Sequence, residues 1–118
     1  MNMKRIRFFW KSTCSTCRDA RSFLRKDLGA ELDERDYARV ALSADELKEL
    51  FAGRDPRDFL NPRSPAFKTM GLAGKSLTAG QALALMVKEP NLIKRPIVVA
   101  GKEMIAGFDR DRLRAALK

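Results

Sequence analysis

The sequence predicts an α/β protein with a mixed four-stranded sheet, flanking helices and a helical insertion. Three observations lead there. A short apolar run, Ile6 to Trp10, precedes Cys14-Ser15-Thr16-Cys17, after which apolar residues recur at helical spacing. A polar strand candidate follows, so this part of the chain reads as a β-α-β unit with both cysteines at its first turn. Near the C-terminus, Ile97-Val98-Val99-Ala100 and Met104-Ile105-Ala106 flank Gly101-Lys102, a hairpin signal.

Each element has its own signal. Residues 4–10 alternate in part and then turn wholly apolar, as a strand buried at one end does. Ser12 and Thr13 are helix-capping residue types. Over residues 15–28, Cys17, Ala20, Phe23, Leu24 and Leu28 share one helical face, and Gly29 closes the helix. Residues 31–38 form a weaker, polar strand suited to a sheet edge. Ser43-Ala44-Asp45-Glu46 opens a helix with a capping box, and Leu47, Leu50 and Phe51 supply its buried side. Residues 53–65 carry three prolines among alternating charges, the mark of loop or broken single turns. Pro65 starts a short helix that runs to Met70. Thr78 caps a further helix, with Ala82, Leu83, Leu85 and Met86 inward and Pro90 as its stop. Asp109 caps the last helix, which carries Leu113, Ala116 and Leu117. The chain is read as one domain, 1–118, whose helices between about 43 and 88 form a subregion.

Composition narrows the function. The chain has 118 residues, 24 Lys plus Arg against 15 Asp plus Glu, and no histidine. Without histidine, Ser-His-Asp and Cys-His nucleophile systems are excluded within one chain. A net charge of +9 favours anionic partners. Acids are interleaved with the bases, however, as in Arg54-Asp55-Pro56-Arg57-Asp58, which describes a solvated basic surface and no direct nucleic-acid contact. No apolar run is long enough to span a membrane, and Ile6–Trp10 is too short for a signal-peptide core. The expected location is the cytoplasm, where a C-x-x-C is more often catalytic or sensing than a permanent staple.

The two cysteines carry the chemistry. A thiolate attacks disulfides and oxyanions and a thiol hardly does, so a working cysteine needs a lowered pKa. Cys14 at a helix start meets unpaired backbone N–H groups and the positive end of the helix dipole. Arg18, one turn on, adds a fixed charge. Cys17 stands where it can resolve a mixed disulfide formed at Cys14. Two alternatives stand beside this reading. The pair could be structural, since free cysteine often serves as a small apolar residue. A zinc site would need ligands from a second chain, because this one has only two cysteines, and no metal is expected.

The motifs together resemble a known family. Cys14-Ser15-Thr16-Cys17-Arg18-Asp19-Ala20-Arg21, Asn61-Pro62-Arg63-Ser64 and Lys94-Arg95-Pro96-Ile97-Val98-Val99 stand in the order and spacing of the glutaredoxin-like arsenate reductase and Spx family of the thioredoxin superfamily. The resemblance covers roughly residues 5–117. It implies a thioredoxin-like fold with a cis proline at Pro96, facing the cysteine loop. It implies Cys14 as nucleophile, Cys17 as resolving cysteine, and Arg18 and Arg95 as stabilisers of a thiolate or bound anion. Thr13, Arg63 and Pro96 are the implied substrate contacts. The chain departs from the arsenate reductase pattern at Asn61, aligned with an oxyanion arginine, and at Ala106-Gly107-Phe108, where a further arginine is expected. Arg63-Ser64 and Gly107-Phe108 are similar to the Spx branch.

The function implied is a thiol-dependent reductase with no bound cofactor and glutathione or thioredoxin as electron donor. The alternative implied is an Spx-like redox-sensing transcription regulator that binds RNA polymerase.

Overall fold

Strand β1 (Arg5–Trp10) lies inside a four-stranded sheet of order β2-β1-β3-β4 in the computed structural model, which describes residues 5–117. β2 (Glu31–Asp36) pairs with β1 in parallel and forms one edge, as its polar composition predicts. β3 (Ile97–Ala100) runs antiparallel to β1, and β4 (Glu103–Ala106) antiparallel to β3. The expected mixed sheet is therefore present. Gly101, at φ 61°, supplies the left-handed backbone that the tight β3–β4 turn requires.

Contacts along the chain divide it into two units, residues 5–40 with 95–117 and residues 41–94. The first holds the sheet. One row across it joins Ile105, Val98, Phe8 and Glu34, each the register partner of the next. Phe8, Val98 and Ile105 are buried and anchor a core with Ile6, Ala20, Phe23, Leu24 and Leu113. Truncating such a residue costs about 3–5 kcal/mol for a phenylalanine, so Phe8 alone carries a large share of this unit's stability.

Helix α1 (Ser15–Ser22) connects β1 to β2. Residues 15–28 were expected to form one regular helix, but the hydrogen bonding widens after Ser22 into a π-helical turn, Phe23–Asp27. The Leu28 N–H reaches the Phe23 carbonyl at 3.2 Å, a five-residue step. Leu28 is accordingly the cap, and Gly29 follows at φ 61°. Arg21 and Arg25 both bind Glu34 of β2, at 2.9 and 2.8 Å. Helix α5 (Arg110–Ala116) starts at the Asp109 cap and buries Leu113. Arg110 lies over the Phe108 ring at 4.5 Å and Arg114 over Phe23 at 5.2 Å.

The second unit is helical. Helices α2 (Ala44–Leu50) and α4 (Ala79–Lys88) each begin with the expected capping box, from Ser43 with Glu46 and from Thr78 with Gln81. Helix α3 (Pro65–Thr69) is a single turn and a half capped by Ser64. The proline-rich stretch before it holds one 3-10 turn, Pro56–Phe59, in which the Phe59 ring stacks on Phe51 at 4.6 Å. Leu47, Leu50, Phe51, Ala82, Leu83 and Met86 are buried as their spacing predicts, whereas Leu85 is only half-buried. An antiparallel bridge between Leu60 and Ile93 ties the proline-rich stretch to the end of this unit.

Candidate functional site

Three chain segments converge at one end of the sheet because of its register. β1 ends at Trp10, opposite Asp36, the last residue of the parallel strand β2. Phe9 faces Ile97, the first residue of the antiparallel strand β3. The cysteine loop after β1, Tyr37 after β2, and Arg95-Pro96 before β3 thus meet at that end.

The loop is held from below by β2. The Ser12 N–H donates to Asp36 Oδ1 at 3.3 Å, and the Tyr37 N–H donates to the Trp10 carbonyl at 3.0 Å. The Cys14 N–H closes a turn on the Lys11 carbonyl at 2.9 Å. Ser12 and Thr13 do not cap α1. That position falls to Cys14, whose backbone is extended (φ −93°, ψ 122°) and whose carbonyl accepts the first helical bond, from the Arg18 N–H. The turn from Lys11 to Cys14 uses up the two residues before the helix, leaving the cysteine at its mouth. Thr13 is exposed within that turn.

Both cysteines are free thiols, Cys14 half-buried and Cys17 buried. Burial alone would raise the Cys14 pKa. It is outweighed by a backbone hydrogen bond from Cys17, by the Arg95 side chain and by the Cys17 thiol, which together hold Cys14 below its usual value. Burial pushes Cys17 up to about 12, a backbone hydrogen bond from Lys11 opposes this, and the nearby Cys14 adds to it. One sulfur is thus poised to ionise and its neighbour to remain a thiol that donates to it, the division of labour that makes a reactive pair. Burial lowers the Arg95 pKa, but its hydrogen bond to Cys14 and the charges of Tyr37 and the two sulfurs turn the net change upward.

The structure brings Cys14, Cys17 and Arg95 together. The Arg95–Pro96 peptide bond is cis, as the resemblance implied; Pro96 is fully buried and its carbonyl accepts the Gly107 N–H at 2.8 Å. Arg18 is exposed, and its guanidinium donates to the Ser12 carbonyl at 3.0 Å, so it braces the loop from the helix side. Arg63 belongs to the helical unit, on the exposed turn before α3, with its N–H bonded to Asn61 Oδ1 at 3.1 Å. Two contributors escaped the sequence reading. Asp36 ends, and Tyr37 follows, a polar strand that offered no motif; the only available signal was a lone aromatic after four acidic residues in six.

Among the described residues no cluster of three or more His, Cys, Asp or Glu side chains could hold a metal ion. Nor is any helix among them long and apolar enough to cross a membrane.

The chain is similar to known proteins over nearly its whole length. A family model described as the ArsC family matches residues 9–116. The global transcriptional regulator Spx of Streptococcus pyogenes serotype M1 is 31% identical over 114 residues, spanning 95% of this chain and 84% of that protein. A solved structure of the YFFB protein superposes with a TM-score of 0.83 at 26% identity, covering 96% of this chain and 99% of the other. A glutaredoxin from Archaeoglobus fulgidus aligns over 99% of this chain and 89% of its own at 15% identity, with a TM-score of 0.50, a likeness of fold alone. The fold is thioredoxin-like. With the family's pattern matched from the end of β1 to the end of α5, and a cysteine pair at the turn where that pattern begins, the chain belongs to the ArsC family.

Proposed function

We propose that the protein is a thiol-dependent reductase in which Cys14 is the nucleophile and Cys17 the resolving cysteine. The observation that carries this reading is the opposed state of the two sulfurs. Cys14 is half-exposed and lowered, and Cys17 is buried and raised. A reductase needs this order: the outer sulfur attacks substrate as thiolate, and the inner one stays protonated until a mixed disulfide exists. Arg95 stabilises the attacking thiolate, and Arg18 and Thr13 shape the loop that presents it. Pro96, itself buried, shapes the substrate groove from beneath. Glutathione or thioredoxin supplies the electrons, and no bound cofactor takes part.

The test is turnover. The wild type, Cys14→Ser and Cys17→Ser are incubated with a mixed disulfide of glutathione or with arsenate, with reduced glutathione or thioredoxin present. Reduction of the mixed disulfide by wild type, abolished in Cys14→Ser, is the expected result. No turnover with either substrate under either reductant would overturn the reading.

The 31% identity to Spx proteins favours a second reading. A global transcriptional regulator of this family would use the same cysteine pair as a sensor and RNA polymerase as its partner. A stable complex with RNA polymerase that changes on oxidation, in a protein without turnover, is the outcome that selects it.

A further inference from the structure

Tyr37 is the only tyrosine of the chain. It is 3% exposed, and its hydroxyl is shut off from solvent; the side chain that acts on it by hydrogen bonding is Arg95, which can only donate, so among the described residues nothing accepts the phenolic proton. A buried phenol whose proton has no acceptor forfeits a hydrogen bond it makes in water, and native proteins seldom leave such a group without use. The backbone around it is well fixed. The Tyr37 N–H is bonded to the Trp10 carbonyl, and the preceding Asp36 holds the Ser12 N–H. The hydroxyl itself feels the groups at the cysteine end of the sheet. Its surroundings there are Arg95, Cys17 and Cys14, of the two sulfurs Cys17 acting on it the more strongly. Burial and the two sulfurs keep it a protonated donor well past its usual range, against the pull of Arg95.

We propose that the Tyr37 hydroxyl is the hydrogen-bond donor for the negative charge that forms on Cys17 in the resolving step, and that its proton stands without an acceptor in the dithiol form because that charge has not yet arrived. The proposal rests on Cys14 and Cys17 acting as nucleophile and resolving cysteine. In the first step the Cys14 thiolate attacks a substrate disulfide, a bond from Cys14 to one substrate sulfur forms, and the other leaves as thiolate. In the second, the Cys17 thiol gives its proton to solvent and its sulfur attacks Cys14. The Cys14–Cys17 bond forms, the bond from Cys14 to substrate breaks, and the electron pair departs with the second substrate thiolate. The substrate is reduced and the cysteine pair oxidised. During this second step Cys14 is uncharged, so its demand on Arg95 lapses and the charge must be accommodated at buried Cys17. A substrate cannot reach the Tyr37 hydroxyl, which has no accessible surface, whereas Cys17 is buried as well and acts on that hydroxyl through its charge.

The experiment follows one equivalent of dithiobis(nitrobenzoate), an aromatic disulfide whose released thiolate is coloured, with the reduced full-length protein in a stopped-flow cell. Two phases of release report the two steps. Tyr37→Phe should leave the first phase within about twofold of wild type and slow the second about tenfold, the usual effect of losing one hydrogen bond to a charged group. The midpoint of the second phase against pH should also rise, and the groups around Cys17 in that profile are Cys14, Arg95 and Tyr37. Because the phenolic proton has no acceptor in the dithiol form, the reduced variant should unfold at no lower temperature than wild type. A second phase with unchanged rate and pH profile in Tyr37→Phe overturns the proposal while leaving the roles of the cysteines intact. A wild type that shows no second phase overturns the resolving role of Cys17, and the proposal with it.

Discussion

The Arg95 guanidinium hydrogen-bonds the Cys14 sulfur, although the two residues lie near opposite ends of the chain. The antiparallel pairing of Phe9 with Ile97 makes this contact, by placing the end of β1 beside the start of β3. Arg95 is a side-chain influence on Cys14, and burial works against it. Replacing Arg95 with Gln should therefore raise the Cys14 pKa, and Arg95→Lys should restore part of that by charge without the planar donor geometry. Thiolate absorbance against pH in the three proteins measures it. An unchanged midpoint in Arg95→Gln would place the activation of Cys14 elsewhere.

Cys17 makes stability fall at alkaline pH. Its folded pKa is about 12, above the unfolded value of about 8.5. Between those values the unfolded chain has lost this proton and the folded chain has kept it, so the unfolded state binds fewer protons and stability declines as pH rises. The decline from Cys17 should reach about 2 kcal/mol by pH 10. Cys14, lowered in the folded state, acts in the opposite direction and offsets part of it. Denaturation in urea with a reductant present, at pH 8 and pH 10, should show a smaller loss for Cys17→Ala than for wild type. Equal losses would mean that Cys17 ionises in the folded state as easily as in the unfolded one.

How much of this was legible in the sequence depends on where the information lies. Elements announced by local chemistry were readable: the capping boxes at Ser43 and Thr78, the cap at Asp109, the turn at Gly101. The C-x-x-C and Arg95-Pro96 were readable as motifs. The π-helical turn at Phe23–Asp27 was not, since its residues fit an ordinary helical period and only the hydrogen-bond step changes. The cap at Cys14 was missed for a related reason, as Ser12 and Thr13 are better capping types but are consumed by the turn before the helix. Asp36 and Tyr37 gain their meaning from the register between β1 and β2, which no local pattern encodes.

Glu34 should be a structural residue without effect on the thiols. Its carboxylate takes both Oε atoms to Arg21 Nε at 2.9 Å and is met by Arg25 at 2.8 Å, with its side chain only 19% exposed. A two-arginine arrangement that links the α1 region to the edge strand exceeds an isolated surface pair, so Glu34→Ala should cost about 1 kcal/mol. The loss should shrink in high salt. Thermal unfolding measures the cost, and Cys14 alkylation at fixed pH should be unchanged. A variant with a slowed alkylation rate would show that this ion pair also shapes the loop.

Asp36 should do the opposite, acting on the thiol through the loop. Its Oδ1 accepts from the Ser12 N–H at 3.3 Å and the Ala38 N–H at 3.1 Å, which ties the residues before Cys14 to the end of β2. Slight burial would raise its pKa, but the Ser12 hydroxyl and these two N–H groups hold the carboxyl below its usual value. Its contribution is therefore present above the unfolded pKa of about 3.9 and fades as pH falls through the lower folded value. At neutral pH Asp36→Ala should cost about 1 kcal/mol and slow Cys14 alkylation, because a loosened loop no longer holds the sulfur beside Arg95 and the helix start. Asp36→Asn keeps an acceptor oxygen and should retain most of the alkylation rate. Should both variants react as fast as wild type, the cysteine loop would be held by its own turn and by α1, and β2 would have no part in positioning Cys14.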